Sequence, residues 1–176
     1  AFTPHRLHQT WRMFHDYGNG EIGNNGVYQM DSIVWGLGKQ ELPRQVLTVG
    51  GRFGYDDDGQ TPNTQITLLD YGDVVLLYEG RGLPSEPEPG SKSGTTFECA
   101  QGRMAGNTAT GPNGEVIRRF AGGGAHAENF RNFVDAVKEG KAEMLNADVL
   151  SGHLAAGLCH LMVLHSTPAG VVNEFD

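Results

Sequence analysis

The sequence contains little of what several common protein classes require. Its two cysteines, Cys99 and Cys159, form neither a disulfide framework nor a C-x-x-C metal motif. Lysine and arginine number 13 against 21 acidic residues, and the net charge of −8 argues against nucleic acid as a partner, because phosphate backbones are bound mainly by clustered basic side chains. No apolar run approaches the roughly 18 residues of a membrane span, and the opening AFTPHRLHQT does not resemble a signal peptide. We therefore expect no membrane segment, while the compartment stays open.

The length and the order of the predicted elements favour a single α+β domain over residues 1–176. Apolar residues at helical spacing predict a helix at 24–37 and further helices in the last part of the chain. The middle block is predicted to form three strands, followed by two or three shorter ones before residue 120; the first three are 45–53, 64–71 and 73–81. Because helices and strands are segregated along the chain, the pattern indicates an α+β layer architecture rather than a doubly wound parallel sheet.

A glycine-rich turn precedes the first predicted helix. Gly18, Gly20 and Gly23 match the G-x-G-x-x-G pattern of a dinucleotide cradle. Such a cradle requires a buried parallel strand immediately before the glycines, and the preceding WRMFHDY is interrupted by charged residues. We therefore interpret these glycines as a tight turn into the helix rather than as a phosphate site.

The polar edge of that helix carries groups suited to chemistry. Asn24, Tyr28, Asp31 and Trp35 follow one another at helical spacing, beside the apolar stripe. An amide, a phenol, a carboxylate and an indole in one row suit the recognition of hydroxyl groups, and a tyrosine can transfer a proton if its pKa is lowered. The alternative is a polar edge that faces only solvent or an interface.

The first segment of the chain is rich in histidine, arginine and aromatic residues, which are His5, Arg6, His8, Trp11 and His15. An aromatic face flanked by charged donors is typical of a surface that contacts a polyol, and plain surface or interface is the other main interpretation. A metal site is a weaker third one, because no H-E-x-x-H motif accompanies the histidines and a structural zinc site generally has four protein ligands.

Two further histidines lie in the last predicted helix. His153 and His160 are seven residues apart, beside its leucine stripe. We interpret them as side chains packed at the edge of the core rather than as ligands.

The segment GNGEIGNNGVYQMD resembles the C-terminal domain of the glucose–fructose oxidoreductase / inositol dehydrogenase (Gfo/Idh/MocA) family of NAD(P)-dependent oxidoreductases. The pattern of that family is a glycine-rich turn followed by Asp-x-Gly-x-His-x-x-Asp at the start of a helix. Here Asn24, Gly26, Tyr28 and Asp31 fit the spacing without a gap. Other segments similar to the family, in the same order, are 50–65, 126–141 and 145–161.

The resemblance implies a fold, and it implies that substrate and cofactor are bound mainly by different domains. It implies a mostly antiparallel open β-sheet with helices packed on one face, the other face commonly mediating homo-oligomers. It also implies an N-terminal Rossmann domain that holds NAD or NADP and supplies a lysine from a Glu-Lys-Pro motif. No Glu-Lys-Pro occurs here, so the chain resembles the substrate-binding half of a longer oxidoreductase that acts on a sugar or polyol, and the half alone is expected to be inactive.

The chain departs from the family at two positions that the resemblance marks as catalytic. Asn24 and Tyr28 stand where the family usually has Asp and His. Asparagine cannot carry a negative charge, and the ordinary pKa of tyrosine is about 10, so its use as a general base requires that value to fall. The resemblance implies Tyr28 as the acid/base, with Asn24 and Asp31 orienting hydroxyls and His5, Arg6, His8 and Trp11 forming the far wall. The alternative is a carbohydrate-binding or assembly module whose site has decayed.

Overall fold

The computed structural model describes residues 8–85, 94–121, 126–164 and 173–174. It has the α+β architecture that the element order predicts. The helices are α1 (Val27–Leu37), α2 (His126–Glu139) and α3 (Val149–Leu164). The strands are β1 (Gln45–Gly51), β2 (Thr64–Asp70), β3 (Val75–Arg81), β4 (Thr96–Cys99), β5 (Gly102–Ala105), β6 (Thr108–Thr110), β7 (Val116–Arg119) and β8 (Asn173–Glu174). The backbone divides into two compact units, residues 1–86 with 150–176 and residues 87–149.

The first unit contains an antiparallel sheet with the strand order β3-β2-β1-β8. The three long strands predicted from the sequence are confirmed within two residues at each end. Inward and outward residues alternate along β2, where Gln65, Thr67 and Leu69 are buried and Ile66 and Leu68 are exposed. This alternation follows from the period of two in a strand, and it gives the sheet one covered and one open face.

Helices α1 and α3 cover one face of this sheet. Met30 of α1 and Leu158 and Met162 of α3 pack with Val46 and Leu69 of the strands, and all five side chains are buried. Three buried side chains on this face are polar: the hydroxyl oxygens of Thr48 and Thr67 lie 2.9 Å apart, and Nε2 of Gln65 donates to Oγ1 of Thr67 at 3.0 Å. Helices α1 and α3 therefore lie on one face of this sheet, as expected.

Helix α1 confirms the predicted helix at 24–37. A single π-helical turn, Ile22–Gly26, leads into it, and Gly38 ends it in the left-handed conformation at φ +63°. The N–H groups of Gly38 and Lys39 donate to the carbonyls of Trp35 and Val34, which satisfies the last turn of the helix.

The second unit contains an antiparallel sheet with the order β4-β5-β6-β7, followed by α2. The sequence predicts two or three short strands here, and the structure has four, because two-residue connections divide the stretch from Thr96 to Thr110 into three separate strands. None of the helices within the described residues is long and apolar enough to span a membrane.

Candidate functional site

A cleft of about 1160 Å³ opens in the first unit. Its walls come from three distant parts of the chain: the segment before α1, the connection from β1 to β2, and the end of α3. The side chains that give it its chemistry are Trp11, His15, Tyr17, Asn19, Arg52, Phe53, Gln60 and His160. The cleft thus combines aromatic faces, amides and imidazoles, with one guanidinium group and no carboxylate among the lining residues that the structure describes.

Hydrogen bonds fix the first wall to the second. The N–H groups of Gln60 and Thr61 both donate to the carbonyl of Met13, at 2.9 and 3.1 Å. In return, the His15 N–H donates to Oε1 of Gln60 at 3.0 Å. The two walls are therefore joined by two main-chain hydrogen bonds and by one from a main-chain N–H to the Gln60 side chain.

Arg52 organises the second wall. Its guanidinium donates from Nε to Oδ1 of Asp57 at 2.6 Å, from Nη2 to the other oxygen of that carboxylate, and from Nη1 to the Thr61 carbonyl at 3.2 Å. The hydrogen bond to Asp57 raises the pKa of Arg52, and the same bond lowers the pKa of the Asp57 carboxyl. The positive charge is thus neutralised inside the loop, so the cleft suits a neutral polar ligand better than an anion.

The glycine-rich turn is closed by protein atoms. A Cβ at Gly20, whose φ is +72°, would lie 2.7 Å from Oγ1 of Thr61, and a Cβ at Gly23 would overlap the Asn19 side chain. A Cβ at Gly18 would lie 2.7 Å from the Cα of Arg12. The glycines therefore allow the close packing of a tight turn, as expected, and the turn does not fit a dinucleotide pyrophosphate, because atoms of Arg12, Asn19 and Thr61 occupy the space that the glycines leave.

The crowding at Gly20 yields a stability prediction. Gly20→Ala should lower the free energy of unfolding by about 2–4 kcal/mol, because it adds overpacking against Thr61 to the cost of a left-handed alanine. Gly38→Ala is the matched control, since its φ is also left-handed but no atom lies within 4 Å of the added methyl group, and we expect about 1 kcal/mol. Urea unfolding of both variants measures the difference. Equal losses would contradict the role given to the Thr61 contact.

The predicted polar row on α1 is exposed. Asn24, Tyr28 and Asp31 all face solvent, and the Tyr28 side chain is 71% exposed. None of the three lines the cleft. The link between the two places is Asn19, whose side chain lines the cleft and lies against Gly23, the residue before Asn24. Their catalytic and substrate-binding roles stay predictions.

The predicted far wall is described only in part. Trp11 lines the cleft and is 47% exposed. His8 is exposed and has a left-handed backbone, with φ +54°. His5 and Arg6 lie outside the described residues.

Sequence reasoning missed six of the eight side chains that give the cleft its chemistry, Tyr17 and Asn19 of the segment before α1 among them. Arg52, Phe53 and Gln60 flank the DDDG turn, which by pattern is only a connection between strands. His160 is exposed at the cleft wall, with its Nδ1 3.4 Å from Nδ2 of Asn19, and His153 is also exposed. The interpretation of both histidines as core-edge side chains is wrong, because they lie, two turns apart, on the face of α3 that points away from its buried leucines. In the part of the chain that the structure describes, no three His, Cys, Asp or Glu side chains converge as metal ligands.

A second cluster lies at the start of α1, around the carboxylate of Glu21. One oxygen, Oε1, accepts hydrogen bonds from the Arg12 guanidinium, with Nε at 2.8 Å. The other, Oε2, accepts from Nδ2 of Asn25 at 2.5 Å and from Nδ2 of Asn24 at 3.3 Å. Partial burial opposes ionisation, but the hydrogen bonds from Arg12, Asn24 and Asn25 outweigh it and hold the pKa of Glu21 below its ordinary value.

Together the fold and the site define an α+β domain in which a cleft and an exposed polar helix edge share one end of the first unit. No family model matches the sequence, and no curated protein is significantly similar to it. The structure, however, is similar to solved structures of proteins named as oxidoreductases, some of them provisionally.

Three of these structures illustrate the likeness. A provisionally named oxidoreductase from Klebsiella pneumoniae has a TM-score of 0.60 at 14% identity, over 87% of this chain and 49% of its own. An oxidoreductase from Bacillus cereus has a TM-score of 0.56 at 13% identity, over 89% of this chain and 60% of its own. A provisionally named oxidoreductase from Thermotoga maritima has a TM-score of 0.52 at 18% identity, over 84% and 45%. The fold of this chain therefore corresponds to roughly half of the length of each of these proteins.

Proposed function

We propose that this chain is the substrate-binding part of an NAD(P)-dependent oxidoreductase that acts on a hydroxyl group of a sugar or polyol. The observation that carries the proposal is the exposed row of Asn24, Tyr28 and Asp31 beside an aromatic and amide-lined cleft. The fold that carries them matches about half of the length of several proteins named as oxidoreductases. A second part of the longer protein would cover the exposed row and complete the site.

The cleft has the groups that a neutral sugar requires. The aromatic rings of Trp11 and Phe53 offer apolar faces to the C–H side of a sugar ring, while the amides of Asn19 and Gln60 can donate to and accept from its hydroxyls. Among the described lining residues the one guanidinium, that of Arg52, is paired with Asp57, so this part of the lining carries no unbalanced guanidinium charge that selects for an anionic ligand.

Each predicted residue of the row has one task in this proposal. In its phenolate form, Tyr28 takes the proton from the substrate hydroxyl and becomes the phenol as hydride leaves the carbinol carbon, and Asn24 and Asp31 orient hydroxyl groups. NAD or NADP is the hydride acceptor. Another part of the longer protein holds it, because the glycine-rich turn of this chain is closed to a dinucleotide.

The proposal is tested on the full-length product of the gene. We expect NAD+ or NADP+ to be reduced in the presence of at least one member of a panel of aldoses, ketoses, sugar alcohols and inositols. Release of reduced nicotinamide is followed by its absorbance, and each sugar is also tested for binding by calorimetry. A sugar that binds without any reduction would support the second candidate, a carbohydrate-binding module, which the non-ionisable Asn24 favours. If no sugar binds and no nicotinamide is reduced, both candidate functions are contradicted.

We also propose that the protein forms a homo-oligomer through the open face of the first sheet. Side chains from β1, β2 and β3 leave a continuous apolar surface on the side away from the helices, made of Leu47, Val49, Ile66, Leu68, Val75 and Leu77. Exposed apolar surfaces of this kind mark interaction sites in proteins of known structure, and a second copy presents the same surface in return.

The centre of that face is the position to change. Leu68 pairs with Leu47 on one side and Leu77 on the other, so a lysine there has no acidic neighbour across either strand. Leu68→Lys should weaken self-association at least thirtyfold, about 2 kcal/mol, because a charge would be buried at the interface. Light scattering as a function of concentration measures it. Val149→Lys is the control, since Val149 is 89% exposed and lies off the sheet, and an equal effect of both variants would contradict the proposal.

A further inference from the structure

The carboxylate of Glu21 connects the segment before α1, which contains Arg12 and is called the entry segment below, to the start of the polar row. It accepts hydrogen bonds from three side chains, those of Arg12, Asn24 and Asn25. The spacing of three and four residues from Glu21 to the two asparagines places both amides over the same carboxylate at the π-helical turn. Asn24 itself is exposed, so the rest of its amide is available to a ligand.

The chemistry of the carboxylate decides which end of the Asn24 amide faces it. An ionised carboxylate can only accept hydrogen bonds, and the NH₂ group is the only donor of an asparagine side chain. The Asn24 Nδ2 must therefore face Glu21, and its Oδ1 must lie on the opposite side of the amide. Among the described residues no hydrogen bond to that oxygen competes for it.

We propose that Glu21 is a positioning residue that fixes the Asn24 amide so that its Oδ1 is presented to the substrate as a hydrogen-bond acceptor. The inference rests on the proposed function for its substrate. It deepens that function by specifying that Asn24 presents its acceptor oxygen to the substrate. The group that pairs with Oδ1 of Asn24 must be a donor, such as the hydroxyl of a sugar, because a carbonyl or carboxylate has no hydrogen to donate to that oxygen. Asn24 then performs the accepting task of a carboxylate without its charge.

The first test reads the hydrogen bonds directly and does not depend on catalysis. In the protein labelled with ¹⁵N, the side-chain amide resonances of Asn24 and Asn25 should shift together with pH, with a common midpoint below 4.5, as the Glu21 carboxyl takes up a proton. Glu21→Gln should abolish this shared titration. Glu143→Gln, which removes another exposed carboxylate, should leave it unchanged. Asn24 resonances that do not follow the carboxyl would overturn the proposal.

The second test exchanges the donor and the acceptor of the hydrogen bond between residues 21 and 24. It uses the full-length enzyme and the sugar that gives the highest rate. Glu21→Gln should raise KM about five- to tenfold with kcat changed less than twofold, the effect of one misoriented hydrogen bond. In the double variant Glu21→Gln, Asn24→Asp, the new glutamine donates to the new carboxylate, which again presents an acceptor oxygen. We expect KM to return to within about threefold of the original value.

A merely structural role for Glu21 predicts a different pattern. If Glu21 only anchors the entry segment through Arg12, then Arg12→Gln should raise KM as much as Glu21→Gln does, and the double variant should show no rescue. That combination would overturn the proposal. If no sugar is turned over by the unaltered enzyme, the proposed function fails, and the amide titration alone decides whether Glu21 orients Asn24.

Discussion

Tyr28→Phe is expected to lower kcat for sugar oxidation by the full-length enzyme by at least about 100-fold. The substitution removes one hydroxyl group and keeps the ring, and loss of a positioned acid/base commonly costs 10² to 10⁴ in rate, roughly. The Tyr28 side chain is 71% exposed, so the loss of its hydroxyl should leave the fold intact. Steady-state kinetics with the best sugar from the panel, at several pH values, measure the effect.

A matched variant separates this role from a general effect of removing a phenol. Tyr55→Phe makes the same chemical change at a half-exposed tyrosine whose hydroxyl donates to the Gly82 carbonyl, outside the predicted row. We expect its kcat to stay within twofold of the original. Turnover by Tyr28→Phe at the unaltered rate would show that another group carries the proton, and the assignment of Tyr28 would be wrong.

The second large effect is expected in the core. Leu158→Ala should lower the free energy of unfolding by about 2–5 kcal/mol, because Leu158 is fully buried where α3 packs on the sheet and the substitution leaves a cavity there. For a protein of ordinary stability, that is a large share of the total. Urea unfolding followed by circular dichroism measures the change.

Leu150→Ala provides the control on the same helix. Leu150 undergoes the same loss of atoms, but its side chain is 47% exposed in the first turn of α3, and we expect a loss below about 1 kcal/mol. Comparable losses for the two variants would mean that α3 is not held to the sheet by the face that carries Leu158.

The elements of the first unit follow closely from local sequence patterns. Helix α1 is preceded by a glycine-rich turn, carries an apolar stripe through Met30 and Val34, and ends at Gly38, and each of these signals acts within a few residues. The predicted strands match because alternation and turn residues are equally local. The short strands of the second unit were undercounted, since three or four residues such as Thr108–Thr110 hold too little pattern to be separated from their neighbours.

The polar row was also accessible from the sequence, because it lies on one helix. The spacing of Asn24, Tyr28 and Asp31 predicts a shared edge, and the structure leaves all three exposed there. Local spacing does not single out Glu21, the partner of Asn24, since its importance depends on Arg12, which a 3₁₀ turn brings within hydrogen-bonding distance.

The sequence by itself determined the helices, the long strands and which face of each is apolar, because periodicity and turn chemistry are properties of neighbouring residues. Only the tertiary structure decided that Trp11, Arg52 and His160 line one cleft, and that the glycine-rich turn is closed by Thr61 and Asn19. Most of these contacts join residues many positions apart. His160, for example, reaches the cleft wall because α3 buries its leucines against the sheet, and no pattern in the sequence around His160 indicates that position.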